Sequence, residues 1–154
     1  MSNLLILGAG GFGRTVREMT LNMGKWDRVL CLDDSSRQEY VIGKCADYVR
    51  FREEFDEAFP AFGDNAFRLE WVDLLLAAGY RVPVIVHPTA FVSPSAQLGA
   101  GTIVMQNAVV NTDTTVGRAC LINCGAVVDH DNQLAEGVHV GLGAVIKACC
   151  KLKP

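Results

Sequence analysis

No stretch of about 20 apolar residues, the length that a membrane-spanning helix needs, occurs in this chain of 154 residues. The amino terminus enters Asn3-Leu4-Leu5-Ile6-Leu7-Gly8 with no basic segment and no cleavage site ahead of it. No secretory signal and no membrane span are therefore expected, and the chain reads as a soluble cytoplasmic protein. Basic runs are missing too. Lys and Arg number 14 against 17 Asp and Glu, a net charge of −3, which argues against nucleic acid as a partner. Histidine is scarce, with three copies at His87, His130 and His139. Six cysteines are present, but no pair has a partner pair at zinc-finger spacing, and Cys149 and Cys150 simply adjoin. Neither a metal site nor a disulfide framework is expected. Cys31, Cys120 and Cys150 read as reduced packing residues.

Set against these absences is one strong regularity. Val86, Val92, Leu98, Val104, Val110, Val116, Ile122, Val128, Leu134, Val140, Ile146 and Leu152 recur every six positions without a miss. Four positions after each of the first eleven stands a small or modest residue, from Ala90 and Ala96 to Asn132, Ala144 and Cys150. Six fits neither the 3.6-residue turn of an α-helix nor the two-residue alternation of a strand. It fits a solenoid in which each hexapeptide forms one short side, the aliphatic residue points inward, and three hexapeptides close one coil. Stacked coils bury an apolar column that none could bury alone.

Before this solenoid, Asn3–Leu7 reads as a strand, Gly8-Ala9-Gly10-Gly11-Phe12-Gly13 as a turn with G-x-G-x-x-G spacing, and Arg14–Met23 as a helix. Such glycines bring backbone N–H groups and a helix N-terminus to a phosphate. A second strand, Arg28–Leu32, delivers Asp33 and Asp34 about twenty residues on, where a carboxylate meets the sugar or base of a nucleotide. Alternatively, these aspartates cap the next segment. A dinucleotide domain commonly takes about 150 residues, so the region up to residue 85 has room for one nucleotide-binding half, which disfavours NAD. Val41–Gly43 offers a short strand or turn and Glu57–Phe62 a strand. A helix spans Ala66–Ala78 with Trp71, Leu74 and Leu75 as core, and a last strand spans Val82–Val86. The expected division is 1–85 for an α/β, Rossmann-like nucleotide-binding domain, a nucleotide-sugar-binding one by the resemblance given below, and 86–154 for the solenoid.

His87 reads as a structural residue at the start of the solenoid. His130 stands in Asp129-His130-Asp131, at a position directed away from the aliphatic column. A carboxylate beside it can fix one tautomer and raise its proton affinity, which suits a general base; a solvated corner is the other reading. His139 lies nine residues on, half a coil away, so the two histidines should face different sides of the prism. If both serve one site, it lies between subunits of a symmetric oligomer, and a three-sided prism suggests a trimer.

With Gly8–Gly13, Leu32-Asp33-Asp34, Gly63-Asp64-Asn65 with Arg68, His87-Pro88, Ile122-Asn123, Asp129-His130-Asp131 and the segment His139–Ala144 in this order, the chain resembles the bacterial hexapeptide-repeat sugar acetyltransferases. The resemblance is to bacillosamine-type UDP-amino-sugar N-acetyltransferases and their sialic acid O-acetyltransferase relatives. It implies a left-handed parallel β-helix after the α/β domain, and a homotrimer binding acetyl-CoA between neighbouring helices. It also implies acetyl transfer to the amino group of a UDP-linked amino sugar for surface-glycan synthesis. By the resemblance, His130 is the general base and Asp131 its support. His139 and Gly143 lie on the acetyl-CoA side, Asn123 is near the sugar's amine, and Gly10, Gly13, Asp33 and Asp34 are on the nucleotide-sugar side. Two departures stand out. Phe12 occupies a place where many members have histidine, so either the sugar contact made there or the sugar itself is expected to differ. Relatives also continue for several more coils, so either the trimer or the charged tail compensates here, or CoA binding is weak. Sugar O-acetylation and a non-catalytic nucleotide-sugar-binding module are the alternatives.

Overall fold

The structure, a computed structural model, describes residues 2–154. It divides into two compact units, one ending at Pro83 and the other spanning Val84–Pro154.

In the first unit, strands β1 (Ser2–Leu7), β2 (Trp26–Leu32), β3 (Val41–Gly43) and β4 (Glu57–Pro60) form a parallel sheet in the order β3-β2-β1-β4. Leu4, Leu5, Ile6 and Leu7 of the central strand are all fully buried, as a continuous apolar run in a two-sided parallel sheet requires. Helix α1 (Gly11–Met23) follows β1, and helix α2 (Asn65–Ala77) follows β4. The Asp64 carboxylate caps α2 by accepting the Phe67 N–H at 2.8 Å. Trp71 and Leu75 are core, but Leu74 is 37% exposed. The buried face of α2 is made by Arg68, Trp71, Val72 and Leu75, and the fully buried Arg68 donates to the carbonyls of Phe62 and Gly63. The strand expected over Val82–Val86 is interrupted. Arg81 bridges Glu57, Pro83 has no N–H to continue a ladder, and Ile85–Val86 pairs within the second unit.

That second unit is a parallel β-helix of two-residue strands in three four-stranded sheets. Ile85–Val86, Ile103–Val104, Leu121–Ile122 and His139–Val140 make the first face. Phe91–Val92, Val109–Val110, Val127–Val128 and Val145–Ile146 make the second, and Gln97–Leu98, Thr115–Val116, Gln133–Leu134 and Lys151–Leu152 the third. Every ladder pairs residues eighteen apart, as Ile85 with Ile103 and Val127 with Val145. The second residue of each strand points inward, and Val104, Val110, Ile122 and Val128 are fully buried.

The corners explain the small residues. From Gly101 to Cys149, every sixth residue has positive φ, Asn107, Asp113, Ala119 and Asp131 among them. The small residue that follows each of these tucks inward, with Ala108, Thr114, Cys120, Ala126 and Asn132 fully buried. A left-handed residue turns its N–H onto the coil below, as Asp131 does to the Thr112 carbonyl at 2.9 Å. Among the described residues, no buried side-chain nitrogen or oxygen lacks a hydrogen-bond partner.

Candidate active site

The corner after Val127–Val128 carries Asp129-His130-Asp131-Asn132. Asp131 adopts φ 56°, a conformation that Asp tolerates better than most residues, and it sets its carboxylate 2.6 Å from His130 Nδ1. An ionised carboxylate only accepts, so Nδ1 carries the proton and Nε2 keeps its lone pair. The Asp131 hydrogen bond is the largest cause raising the His130 pKa, helped by the charges of Asp129 and Asp131. Both side chains are about half exposed, so substrate can reach the ring.

Asp129 acts differently. Its Oδ1 accepts the His130 N–H at 2.8 Å and the Asn111 amide at 3.1 Å, and these two bonds hold its carboxyl below the usual range. Beneath the corner, the buried Asn132 amide donates to the carbonyls of Asp129 at 2.8 Å and Lys147 at 2.9 Å, and its Oδ1 accepts the Cys150 N–H at 3.1 Å. Asn132 therefore staples the histidine corner to the next coil. Replacing it by alanine should cost about 1–3 kcal/mol, the penalty for stranding buried backbone groups, measurable as a lowered denaturation midpoint.

His139 opens a strand of the first face, and His130 follows the second. The half-coil spacing thus puts the two histidines on different sides, while Asn123 and His139 meet. The Asn123 Oδ1 accepts the Cys124 N–H at 2.8 Å, which turns its Nδ2 to His139 Nε2 at 3.1 Å. Nε2 is then the acceptor, and Nδ1 is the protonated nitrogen of that ring. Gly143 has φ +64°, and its N–H is engaged by the Cys124 carbonyl at 3.0 Å. What it offers a ligand is open space, since a Cβ there would meet nothing within 4 Å. His87 is a turn residue whose Nδ1 accepts the Thr89 N–H at 3.0 Å.

In the first unit, Gly10 caps α1 in extended conformation, and the first turn of the helix presents unpaired backbone N–H groups to any anion. Asp33 organises this loop. Its Oδ2 accepts the Ala9 N–H at 2.7 Å, and its Oδ1 accepts the N–H groups of Ser35 and Ser36 at 2.9 and 2.8 Å. Burial alone would raise the Asp33 carboxyl, but these donors outweigh it and hold it below the usual range. Asp34 is exposed, accepts the Cys45 N–H at 3.0 Å, and lines a groove of about 620 Å³ together with Arg37, Val41 and Lys44. Asp33 borders the same groove, but both of its oxygens are engaged by the loop and the following turn, whereas Asp34 accepts the Cys45 N–H. Neither Asn111 nor Asn132 stood out in the sequence as part of the site. The available signal was their position, Asn111 one coil of eighteen residues before Asp129.

An α/β unit followed by stacked hexapeptide coils defines a hexapeptide-repeat protein. Comparison narrows the class. A family model described as the PglD N-terminal domain matches residues 3–75. The acetyltransferase domain of PglB from Neisseria gonorrhoeae, solved with acetyl coenzyme A, superposes with a TM-score of 0.89 at 30% identity, over 99% of this chain and 85% of that one. PerB from Caulobacter crescentus, solved with CoA and GDP-perosamine, gives a TM-score of 0.87 at 31% identity, over 94% of this chain and 71% of that one. A UDP-N-acetylbacillosamine N-acetyltransferase of Bacillus subtilis is 29% identical over 112 residues, 68% of this chain and 52% of its own length. The chain thus spans about half the length of that relative. It belongs to the bacterial hexapeptide-repeat sugar acetyltransferase family, and its second unit is a left-handed parallel β-helix. No helix among the described residues is long and apolar enough to cross a membrane.

Proposed function

We propose that this protein transfers an acetyl group from acetyl-CoA to the amino group of a nucleotide-linked amino sugar, with His130 as general base. The observation that carries this reading is the 2.6 Å His130–Asp131 pair at an accessible corner, in a chain whose relatives hold acetyl coenzyme A or CoA with GDP-perosamine. His130 Nε2 takes a proton from the neutral sugar amine as its nitrogen attacks the thioester carbonyl. The C–N bond forms, negative charge gathers on the carbonyl oxygen, and collapse of the tetrahedral species breaks the C–S bond. The proton held on His130 then passes to the departing thiolate. Asp131 keeps the ring oriented and stabilises it while charged. Asp34 and the first turn of α1 serve the nucleotide and its phosphates, His139 and Gly143 the acetyl-CoA side, and Asn123 the sugar's amine. The UDP-linked sugar is the favoured donor of the amine, by likeness to the bacillosamine enzyme.

The test is mass spectrometry of products formed from acetyl-CoA and a panel of UDP- and GDP-linked amino sugars, which avoids the thiol background of six cysteines. A gain of one acetyl group on a sugar is expected. Nucleotide-sugar binding with no acetylation of any acceptor would sink the reading and favour a binding module.

The outward positions of the second face, Phe91, Val109, Val127 and Val145, form an apolar ladder, with Phe91 54% and Val145 71% exposed. The corresponding third-face positions are Gln97, Thr115, Gln133 and Lys151. This contrast supports a homotrimer in which the apolar face packs on a neighbouring subunit. Val145→Glu should then shift the protein from trimer to monomer in sedimentation velocity with the monomer still folded. An unchanged sedimentation coefficient would exclude this face.

A further inference from the structure

We propose that His130, Asp131 and Cys149 together form a binding site for a zinc-class divalent cation. Asp131 and Cys149 stand eighteen residues apart, at the same corner of successive coils. Both are left-handed, with φ of 56° and 64°, so their side chains leave the backbone in the same sense. The Cys149 N–H donates to the His130 carbonyl at 3.2 Å, which ties the upper coil to the histidine. One imidazole nitrogen, one carboxylate oxygen and the Cys149 sulfur lie within 4.8 Å of one another, and all three residues are exposed.

The donor set selects the ion. Nitrogen, sulfur and one oxygen suit zinc or cobalt(II), with water completing a tetrahedron. Magnesium and calcium prefer oxygen donors throughout. Binding converts the Cys149 thiol to a thiolate and releases its proton to solvent. The other cysteines are poorer ligands here. Cys31, Cys45 and Cys120 are buried, burial pushes the thiols of Cys31 and Cys45 up to about 12, and Cys150 occupies the inward small-residue position. Sequence spacing concealed the site because its ligands are joined by a whole coil of the solenoid rather than by a short loop.

The consequence for the enzyme rests on the function proposed above. An ion held by the His130 ring removes the base, so zinc and acetyl transfer exclude each other. The binding is tested without that premise. Cobalt(II) is titrated into the reduced, metal-stripped protein under anaerobic conditions with neither acetyl-CoA nor sugar present. A near-ultraviolet thiolate-to-cobalt band and the strong visible bands of a four-coordinate ion are expected, abolished by zinc and unaffected by magnesium. Cys149→Ser should lose the thiolate band, Cys124→Ser should keep it, and His130→Gln should weaken cobalt binding at least about tenfold. All three side chains lie wholly or partly at the surface, and circular dichroism of each variant monitors folding. No thiolate band in the unmodified protein, or a band that survives Cys149→Ser, overturns the site.

Discussion

Replacing His130 by glutamine is expected to lower kcat/KM for acetyl transfer by about 10²- to 10⁴-fold, the usual contribution of a positioned general base, while the β-helix stays folded. The side chain is about half exposed, so its loss opens no cavity. What disappears is the Nε2 lone pair that accepts the amine proton in the proposed mechanism. The pH dependence carries a second expectation. The pKa of His130 is raised, chiefly by the Asp131 hydrogen bond. Below that value the ring is protonated and cannot act, so kcat/KM should climb as the pH rises through it, with an acid limb above the ordinary histidine value. Asp131→Asn removes the main cause of the shift, and asparagine tolerates the left-handed backbone found there. The limb should move to lower pH, and the plateau should fall because the ring is less firmly held. A pH–rate profile of the three proteins separates these effects. A limb that stays in place in Asp131→Asn would show that another group titrates, and full activity in His130→Gln would remove the histidine from the mechanism.

Alanine at Gly13 should destabilise the first unit by more than about 3 kcal/mol, beyond ordinary overpacking. A Cβ at Gly13 would lie 2.1 Å from the Gly8 carbonyl oxygen and 2.6 Å from its carbon. Neither can yield easily. Gly8 has φ +102°, its N–H is bonded to the Leu32 carbonyl at 2.8 Å, and the space on its other side is closed by Ala61 and Phe62. Relief requires α1 to lift from β1, exposing Val16 and Met19, which are buried. Gly10 is the internal control. Its φ is −75° and a Cβ there meets nothing within 4 Å, so Gly10→Ala should change stability by no more than about 0.5 kcal/mol. Any loss of nucleotide-sugar affinity in that variant would then report contact with the ligand. Denaturant unfolding together with calorimetric titration of UDP-sugar reads both. A Gly13→Ala protein as stable as the parent would refute the close packing of helix on turn.

These two glycines show how unevenly the sequence discloses its meaning. Both belong to one G-x-G-x-x-G spacing and looked alike as phosphate contacts, yet one is a packing necessity and the other borders open space. The neighbouring aspartates divide in the same way. Asp33 and Asp34 are adjacent, chemically identical and border one groove, but Asp33 accepts three N–H groups of the glycine loop and the following turn, while Asp34 accepts the Cys45 N–H. Leu74 looked like core from its spacing and is exposed, because the buried surface under α2 is filled by Trp71, Leu75 and the Arg68 guanidinium.

The sequence by itself determined the solenoid, its register and its corners. A coil of three equal sides repeats in the covalent chain with the same period as in space, so the inward column from Val86 to Leu152 and the small residues at each corner can be read directly. It also determined the strand, glycine turn and helix that open the first unit, since these are local. Only the tertiary structure decided which polar groups meet. Asn111 with Asp129, Asp131 with Cys149, Asn132 with Cys150 and Asn123 with His139 come from different coils. Their pairing depends on the stacking offset and on the direction in which each corner turns its side chain. Those quantities arise from packing one coil on the next, and no single hexapeptide contains them.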